Sequence, residues 1–250
     1  MLSKNTVKFI KSLQQKKFRK QENSFFVEGA KNVTELLDSE YEITHLLYTE
    51  SYFNDHISQI KRCGAEKYEV TPKSLESIGS FQSNDAAIAV AKIKNIDSFQ
   101  VHGNELAIAL DDVRDPGNLG TIIRIADWYG VNKIILSEQC ADFYNPKVLN
   151  SSMGSFTRVR FLYTDLKDYL ESQTVPIYGA LLEGESIYKA DLSAAGILLM
   201  GNESKGIADE LMPFITHKLT IPQFGSAESL NVAIATAVIC DNFRRLAWEK

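Results

Sequence analysis

The sequence predicts an α/β protein: a mostly parallel sheet with helices on both faces, preceded by a smaller α/β domain. Three observations carry this. Apolar runs of strand length alternate with amphipathic segments along most of the chain. Turn residues mark the junctions, as at Pro72, Pro116-Gly117 and Pro222. Residues 94–103, "KNIDSFQVHG", have no clear period and separate two such alternating stretches. The division that follows is a domain over 1–95, a linker over 96–103 and a second domain over 104–250. With 250 residues, 44% of them hydrophobic, the chain can bury a sizeable core.

Residues 3–18 have helical period, with Val7, Ile10 and Leu13 on the face to be packed. "VEGAKNVTELLDS" reads as a second helix. "THLLYT" is a short strand, followed by a helix near 52–62. "KYEVT" is a strand, Pro72 opens a short helix, and "AAIAVAKI" closes the first domain as a strand. In the second domain, strands are expected at 105–113, 133–137, 176–182, 196–201 and 217–222. Helices are expected at 118–129, 165–173 and 208–215. A long one starts near 229, with Leu230, Ile234, Val238 and Leu246 at near-helical spacing.

Composition narrows the function. No apolar run reaches membrane-spanning length, and the start lacks the apolar segment and cleavage site of a secretory signal. Cys63, Cys140 and Cys240 are far apart and form no CxxC pair, and the four histidines are scattered, so neither a zinc site nor a disulfide framework is suggested. A reducing cytosol is the expected home, with no metal and no membrane. Net charge is −5, yet residues 1–31 carry a net +6, which leaves −11 for the rest. A basic docking arm on an acidic body has this asymmetry. A solvated amphipathic helix has it equally.

Ligands of open parallel sheets sit beyond the carboxyl ends of the strands, which directs attention to loops 111–120, 200–207 and 221–231. "GNESKG" matches neither the phosphate-binding nor the dinucleotide-binding glycine pattern. "DDVRDPG" fails as a calcium loop, because Val113 and Pro116 stand where an oxygen ligand and a glycine are needed. In the first loop Asn118 is placed to cap a helix, and Arg124 lies six residues further on. In the second, Gly201, Asn202 and Glu203 end a strand and Gly206 redirects the chain. The third starts the final helix near Ser229 and Asn231. Taken singly, each has a plain structural explanation as a cap, a turn residue or a snorkelling arginine.

Taken together they do not. The ordered patterns over Asn118–Ala126, Leu198–Gly206 and Ile221–Val232 resemble the three motifs of the SpoU family of RNA ribose methyltransferases, within the SPOUT superfamily. "SSMGS" (151–155) is similar to the family's small-residue loop between the first two motifs. "KNTVKFIKSLQQKKFRKQENSFFVEG" is similar to the opening of its N-terminal substrate-binding domain. Gln223-Phe224 and "DWYG" depart from the usual pattern without touching the polar motif positions.

The resemblance implies a SPOUT-type sheet tied in a trefoil knot, a homodimer, and an N-terminal RNA-binding domain, with Lys16, Lys17, Arg19 and Lys20 as its RNA contacts. It implies S-adenosyl-L-methionine bound largely by backbone near Leu199, Met200, Gly201, Ile221 and Leu230. It assigns catalysis to Arg124, supported by Asn118, Glu203, Ser229 and Asn231, with Glu203 expected to pair with Arg124. The implied reaction is methylation of a ribose 2′-OH, in ribosomal RNA rather than transfer RNA. A tRNA ribose methyltransferase, an antibiotic-resistance rRNA methylase and a non-catalytic RNA-binding protein stand as alternatives.

Arginine has no acceptor and stays protonated, so a literal general-base role for Arg124 is chemically poor. A clamp on the adjacent phosphate that also stabilises developing oxyanion charge is the better reading.

Overall fold

A computed structural model describes residues 2–192 and 195–248; Met1, Ser193, Ala194, Glu249 and Lys250 lie outside it. The chain separates into two units. One comprises Met1–Asn95 with Asp142–Thr157, the other Ile96–Ala141 with Arg158–Lys250. Residues 142–157, which the sequence division gives to the second domain, thus belong to the first unit.

The first unit begins with α1 (Lys4–Ser12), whose first turn is capped by the Ser3 hydroxyl accepting from the Thr6 amide at 3.1 Å. The expected single helix over 3–18 is in fact two, since α2 (Lys16–Glu22) follows a turn at 13–15. The Arg19 guanidinium stabilises this break by donating to the Leu13 and Gln14 carbonyls at 2.8 and 2.9 Å. These are carbonyls that the end of a helix leaves without intrahelical partners. β1 (Ser24–Glu28) comes next, fully buried; its last two residues, Val27 and Glu28, are where the sequence reading begins a helix. Gly29, at φ +85°, turns the chain into α3 (Ala30–Leu37). β2 (Ile43–Tyr48), α4 (Glu50–Asp55), α5 (Ile57–Arg62), β3 (Glu66–Glu69), α6 (Pro72–Ile78) and β4 (Ala87–Lys92) follow. The sheet order is β1-β4-β2-β3, antiparallel except for β2 with β3. Ile10, Leu13, Phe26, Leu47, Leu75 and Val90 form its core.

In the second unit, β5 (Leu106–Leu110) leads into α7 (Pro116–Trp128) and β6 (Lys133–Leu136). The chain then lends the first unit α8 (Pro146–Ser152). It resumes the second unit with β7 (Arg160–Tyr163), α9 (Leu166–Glu171), β8 (Ile177–Ser186), β9 (Gly196–Met200), β10 (His217–Thr220) and α10 (Val232–Trp248). The expected helix at 208–215 is a 3-10 turn over Asp209–Phe214, with Pro213 inside it. The six strands are all parallel, in the order β10-β8-β9-β5-β6-β7. β5, β6 and β9 are buried along their whole length, as a parallel sheet covered on both faces requires. α10 starts at Val232, three residues later than expected; Leu230 precedes it, and the side chain of Leu246 lies outside the described residues.

The borrowed segment is held to the first unit by aromatic packing and by polar ties. The Phe25 ring lies 4.6 Å from that of Tyr144 and 6.0 Å from that of Phe156. Arg19 pairs with Asp142 at 2.5 Å, and the Asn32 amide donates to Asn150 Oδ1 at 3.3 Å. Local periodicity does not announce this, because every tie joins residues more than a hundred positions apart.

Candidate active site at the carboxyl edge of the parallel sheet

The chain runs from β5 outward to β6 and β7 on one side, while β9 and β8 lie on the other. The order therefore reverses between β5 and β9, where open parallel sheets place their ligand crevice. Because β5, β9 and β10 are parallel, loops 111–115, 201–206 and 221–231 leave the same edge.

The first loop is anchored by its backbone. The Asp111 amide donates to the Met200 carbonyl at 2.9 Å, and the Asp112 amide to Ser137 Oγ at 2.9 Å. Asp112 sits at φ +56°, an uncommon conformation for a non-glycine residue, in keeping with a functional turn. The Asp111 carboxylate accepts from the Ala208 amide at 2.8 Å. Burial pushes its pKa up, Asp112 and Glu210 add to this, and the Ala208 amide opposes it. Asp115, rather than Asn118, caps α7: its Oδ1 accepts from the Asn118 amide at 2.8 Å, and Pro116 takes the first helical position. The Asn118 side chain is thereby left for other work.

In the second loop a Cβ on Gly201 would collide with the Gly206 backbone, so only glycine fits there. Asn202 and Gly206 exchange two backbone hydrogen bonds, both 2.9 Å. The Asn202 side chain accepts from the Ser204 and Lys205 amides and donates to the Asp112 carbonyl at 2.8 Å. It thus pins the second loop to the first. Sequence reasoning noticed Asn202 as a strand end and did not place it in the site. The signal present was an Asx turn, Asn followed by polar residues two and three positions on.

The third loop is shaped by Gln223, whose Nε2 donates to the Gly225 and Ala227 carbonyls, both at 2.8 Å. Asn231 caps α10 by accepting from the Ala233 and Ile234 amides at 3.0 and 3.3 Å.

Three of the five residues expected in catalysis form one chain. Asn231 Nδ2 donates to Asn118 Oδ1 at 2.9 Å, and Asn118 Nδ2 donates to Glu203 Oε1 at 2.8 Å. One amide therefore ties all three loops together. The expected pairing of Glu203 with Arg124 is not what the structure has; Asn118 takes the carboxylate instead. Arg124 stands on α7, exposed, and makes no hydrogen bond or ion pair among the described residues. Ser229 is exposed and is not joined to this chain.

Of the positions expected at the cofactor, Leu199 and Met200 are buried at the end of β9. Gly201 and Ile221 are partly buried, and Leu230 is 50% exposed. Within the described residues the backbone amides of 223–230 donate to no protein group. Residues 223–230 are all exposed, so these amides face solvent between Ile221 and Leu230.

Among the described residues no group of three His, Cys, Asp or Glu is placed to hold a metal ion, and no helix is long and apolar enough to cross a membrane.

One expected RNA contact is corrected. Arg19 is 2% exposed and committed to Leu13, Gln14 and Asp142, so its guanidinium has no surface to offer RNA. Lys16, Lys17 and Lys20 are exposed.

Comparison with known proteins matches residues 105–241 to the SpoU rRNA methylase family and residues 4–89 to the MRM3-like substrate binding domain. The 23S rRNA (guanosine(2553)-2′-O)-methyltransferase RlmP of Bacillus subtilis is 30% identical over 242 residues, covering 95% of each chain. A solved protein described as an RNA methyltransferase of the TrmH family, from Porphyromonas gingivalis, is 38% identical. Its TM-score is 0.86, over 98% of this chain and 99% of that one. An AdoMet-bound rRNA methyltransferase from Sinorhizobium meliloti is 31% identical, with TM-score 0.86 over 98% and 96%.

Proposed function

The chain belongs to the SpoU rRNA methylase family and is an S-adenosylmethionine-dependent RNA 2′-O-ribose methyltransferase, and we propose that its substrate is ribosomal RNA, with Arg124 acting as a phosphate clamp. The observation that carries the clamp is the Asn231–Asn118–Glu203 chain, which fixes all three loops while Arg124 stays exposed and uncommitted on the same helix as Asn118. The rRNA assignment is supported by the match of 4–89 to a substrate binding domain and by the names of the curated relatives.

When bound, S-adenosylmethionine supplies a methyl group already activated by its sulfonium. The difficulty lies with the nucleophile, since a ribose 2′-OH is a very weak acid. This chain's residues then have three tasks. Leu199, Met200, Gly201, Ile221 and Leu230 hold the cofactor, chiefly through backbone. Asn118, Glu203, Asn231 and Ser229 position the ribose and the first turns of α7. Arg124 grips the phosphate next to the reacting ribose with its planar fork and stabilises the charge that develops on the 2′-oxygen. The proton leaves to that phosphate or to solvent, because Arg124 cannot accept it.

Single-turnover methylation of ribosomal RNA across pH, with Arg124→Lys and Arg124→Ala, tests this. A clamp predicts that both variants lose kcat by roughly 10²–10³-fold, as for loss of one oxyanion donor. Cofactor affinity stays unchanged. A lysine variant near the wild-type rate, with a new pH dependence, would restore the general base.

The working form in this reading is a cytosolic homodimer, knotted as in the family. Trp128, Leu230 and Ile234, 83%, 50% and 53% exposed in the second unit, support it as apolar surface that a second copy would cover. A monomeric mass at micromolar concentration would refute the dimer.

A further inference from the structure

The first unit contains a cavity of about 520 Å³ outside the three loops, walled by Gln14, Ser80, Phe81, Asn145, Lys147 and Asn150. We propose that it takes a single unstacked nucleotide of the RNA, with the base stacked on Phe81, its edge read by side-chain amides and its phosphate met by Lys147. The proposal rests on the RNA-substrate reading and adds to it a subsite for choosing the target.

The cavity's aromatic wall is built. Phe81 is 36% exposed, on the turn that follows α6. The turn is fastened from below by Glu28, a wholly buried carboxylate that accepts from the Ser80 amide and hydroxyl and from the Phe81 amide at 3.2 Å. Burying a carboxylate is costly unless it is hydrogen-bonded, and here its visible return is the fixed position of this turn. Two glycines permit the arrangement. A Cβ on Gly79 would collide with Glu28 Oε2, and one on Gly29 would come within 3.1 Å of the Phe81 ring. The ring is thus backed against Gly29, on the turn after β1, and held, the condition for a stacking platform.

The opposite wall is α8. Asn145 uses Oδ1 to cap the helix, accepting from the Lys147 amide at 2.9 Å, and its Nδ2 has no partner among the described residues. Asn150 gives its Oδ1 to Asn32, and its Nδ2 is likewise unspent among them. Gln14 donates to the Ile78 and Gly79 carbonyls and keeps an acceptor. Fixed amide donors and one acceptor around an aromatic ring are what a splayed-out base requires, and a paired base in a duplex cannot reach them. The volume lies within the range of small-ligand sites, roughly 300–1,000 Å³. Lys16 and Lys17, exposed just beyond Gln14, continue the positive charge along which a backbone would run.

The test uses the full chain and two RNA probes: a short hairpin with an unpaired loop carrying 2-aminopurine, and a fully paired duplex of the same composition. Phe81→Leu keeps apolar volume and removes the stacking face; Phe81→Tyr restores the face. Loss of base–aromatic stacking weakens binding by roughly tenfold. Phe81→Leu is therefore expected to weaken the hairpin by that factor and leave the duplex unchanged. It should also abolish the change in 2-aminopurine fluorescence on binding, and Phe81→Tyr should recover both. Asn145→Ser, which keeps the helix cap, is expected to weaken the hairpin alone. An unchanged denaturation midpoint in each variant verifies folding of the first unit, which carries both positions. Equal effects on both probes, or no effect of Phe81→Leu on the hairpin, would overturn the subsite while leaving the methyltransferase reading intact. A wild-type protein that bound neither probe and methylated no ribosomal RNA would remove both.

Discussion

α2 and the third turn of α7 each carry an arginine in a run of basic or apolar residues. The fold treats them in opposite ways. Arg19 is 2% exposed and spends its guanidinium on two carbonyls and the Asp142 carboxylate. Arg124 is exposed, and no group among the described residues claims it. Charge patterning groups Arg19 with Lys16, Lys17 and Lys20, yet the first is an internal strut and the other three face solvent. A cation whose partners are already inside the protein is architecture. One left uncommitted at a loop-bearing sheet edge is available for chemistry.

The strongest way to break this comparison is to exchange the expected effects. Arg19→Met strips the Leu13 and Gln14 carbonyls and leaves Asp142 alone. Breaking a buried pair by removing one partner costs about 3–5 kcal/mol. Chemical denaturation is expected to show a loss of that size; one under about 1 kcal/mol, the scale of exposed pairs, would sink the strut. Arg124→Ala, by contrast, is expected to leave the denaturation midpoint in place while kcat falls by roughly two to three orders of magnitude. A large stability loss there would mean that Arg124 has a structural role too.

A smaller effect sharpens the comparison on the RNA side. Lys16→Ala with Lys17→Ala should reduce the salt dependence of RNA binding, lowering the slope of log K against log salt by ~0.7 for each phosphate no longer neutralised. An unchanged slope would show that the exposed lysines are bystanders. The smallest effect concerns Asp111. Burial raises its pKa in the fold, so its protonated form is favoured there. The stability this lends is present below the ordinary aspartate value and is lost as pH rises through the raised one. Asp111→Asn, which keeps an acceptor for the Ala208 amide, should therefore show a flatter stability profile across that window. Parallel profiles for the two proteins would refute the assignment.

The parallel sheet and its three loops were legible because their signals are local. Strand-length apolar runs such as "ELAIAL" and "ILLM" end in glycine- and asparagine-rich turns, and β5 and β9 follow them closely. The positions of Asn118, Glu203 and Asn231 were legible through the motif resemblance. Their hydrogen-bonding was not, since a side-chain amide chain spanning 113 positions leaves no period to read. β1 escapes a local reading because "SFFVE" runs into a helical pattern without a break other than Gly29. α8 carries little signal of its own, being only seven residues long and ending in the small residues of "SSMGS". The burial of Arg19 depends on a carboxylate 123 positions away, which nothing near Arg19 announces.

That same separation has a consequence for synthesis. A ribosome builds the chain from its amino end, and domains usually fold as they emerge. The first unit does not have that option in full. When residue 95 has been made, β1 still lacks the rings of Tyr144 and Phe156 against Phe25, and Arg19 still lacks Asp142. The nascent unit must wait with an unneutralised guanidinium and an uncovered aromatic face until β5, α7 and β6 have been translated. Its completion is therefore timed by the early strands of the second unit, and pauses in translation between 95 and 157 would prolong the interval in which that face is open to solvent and to chaperones.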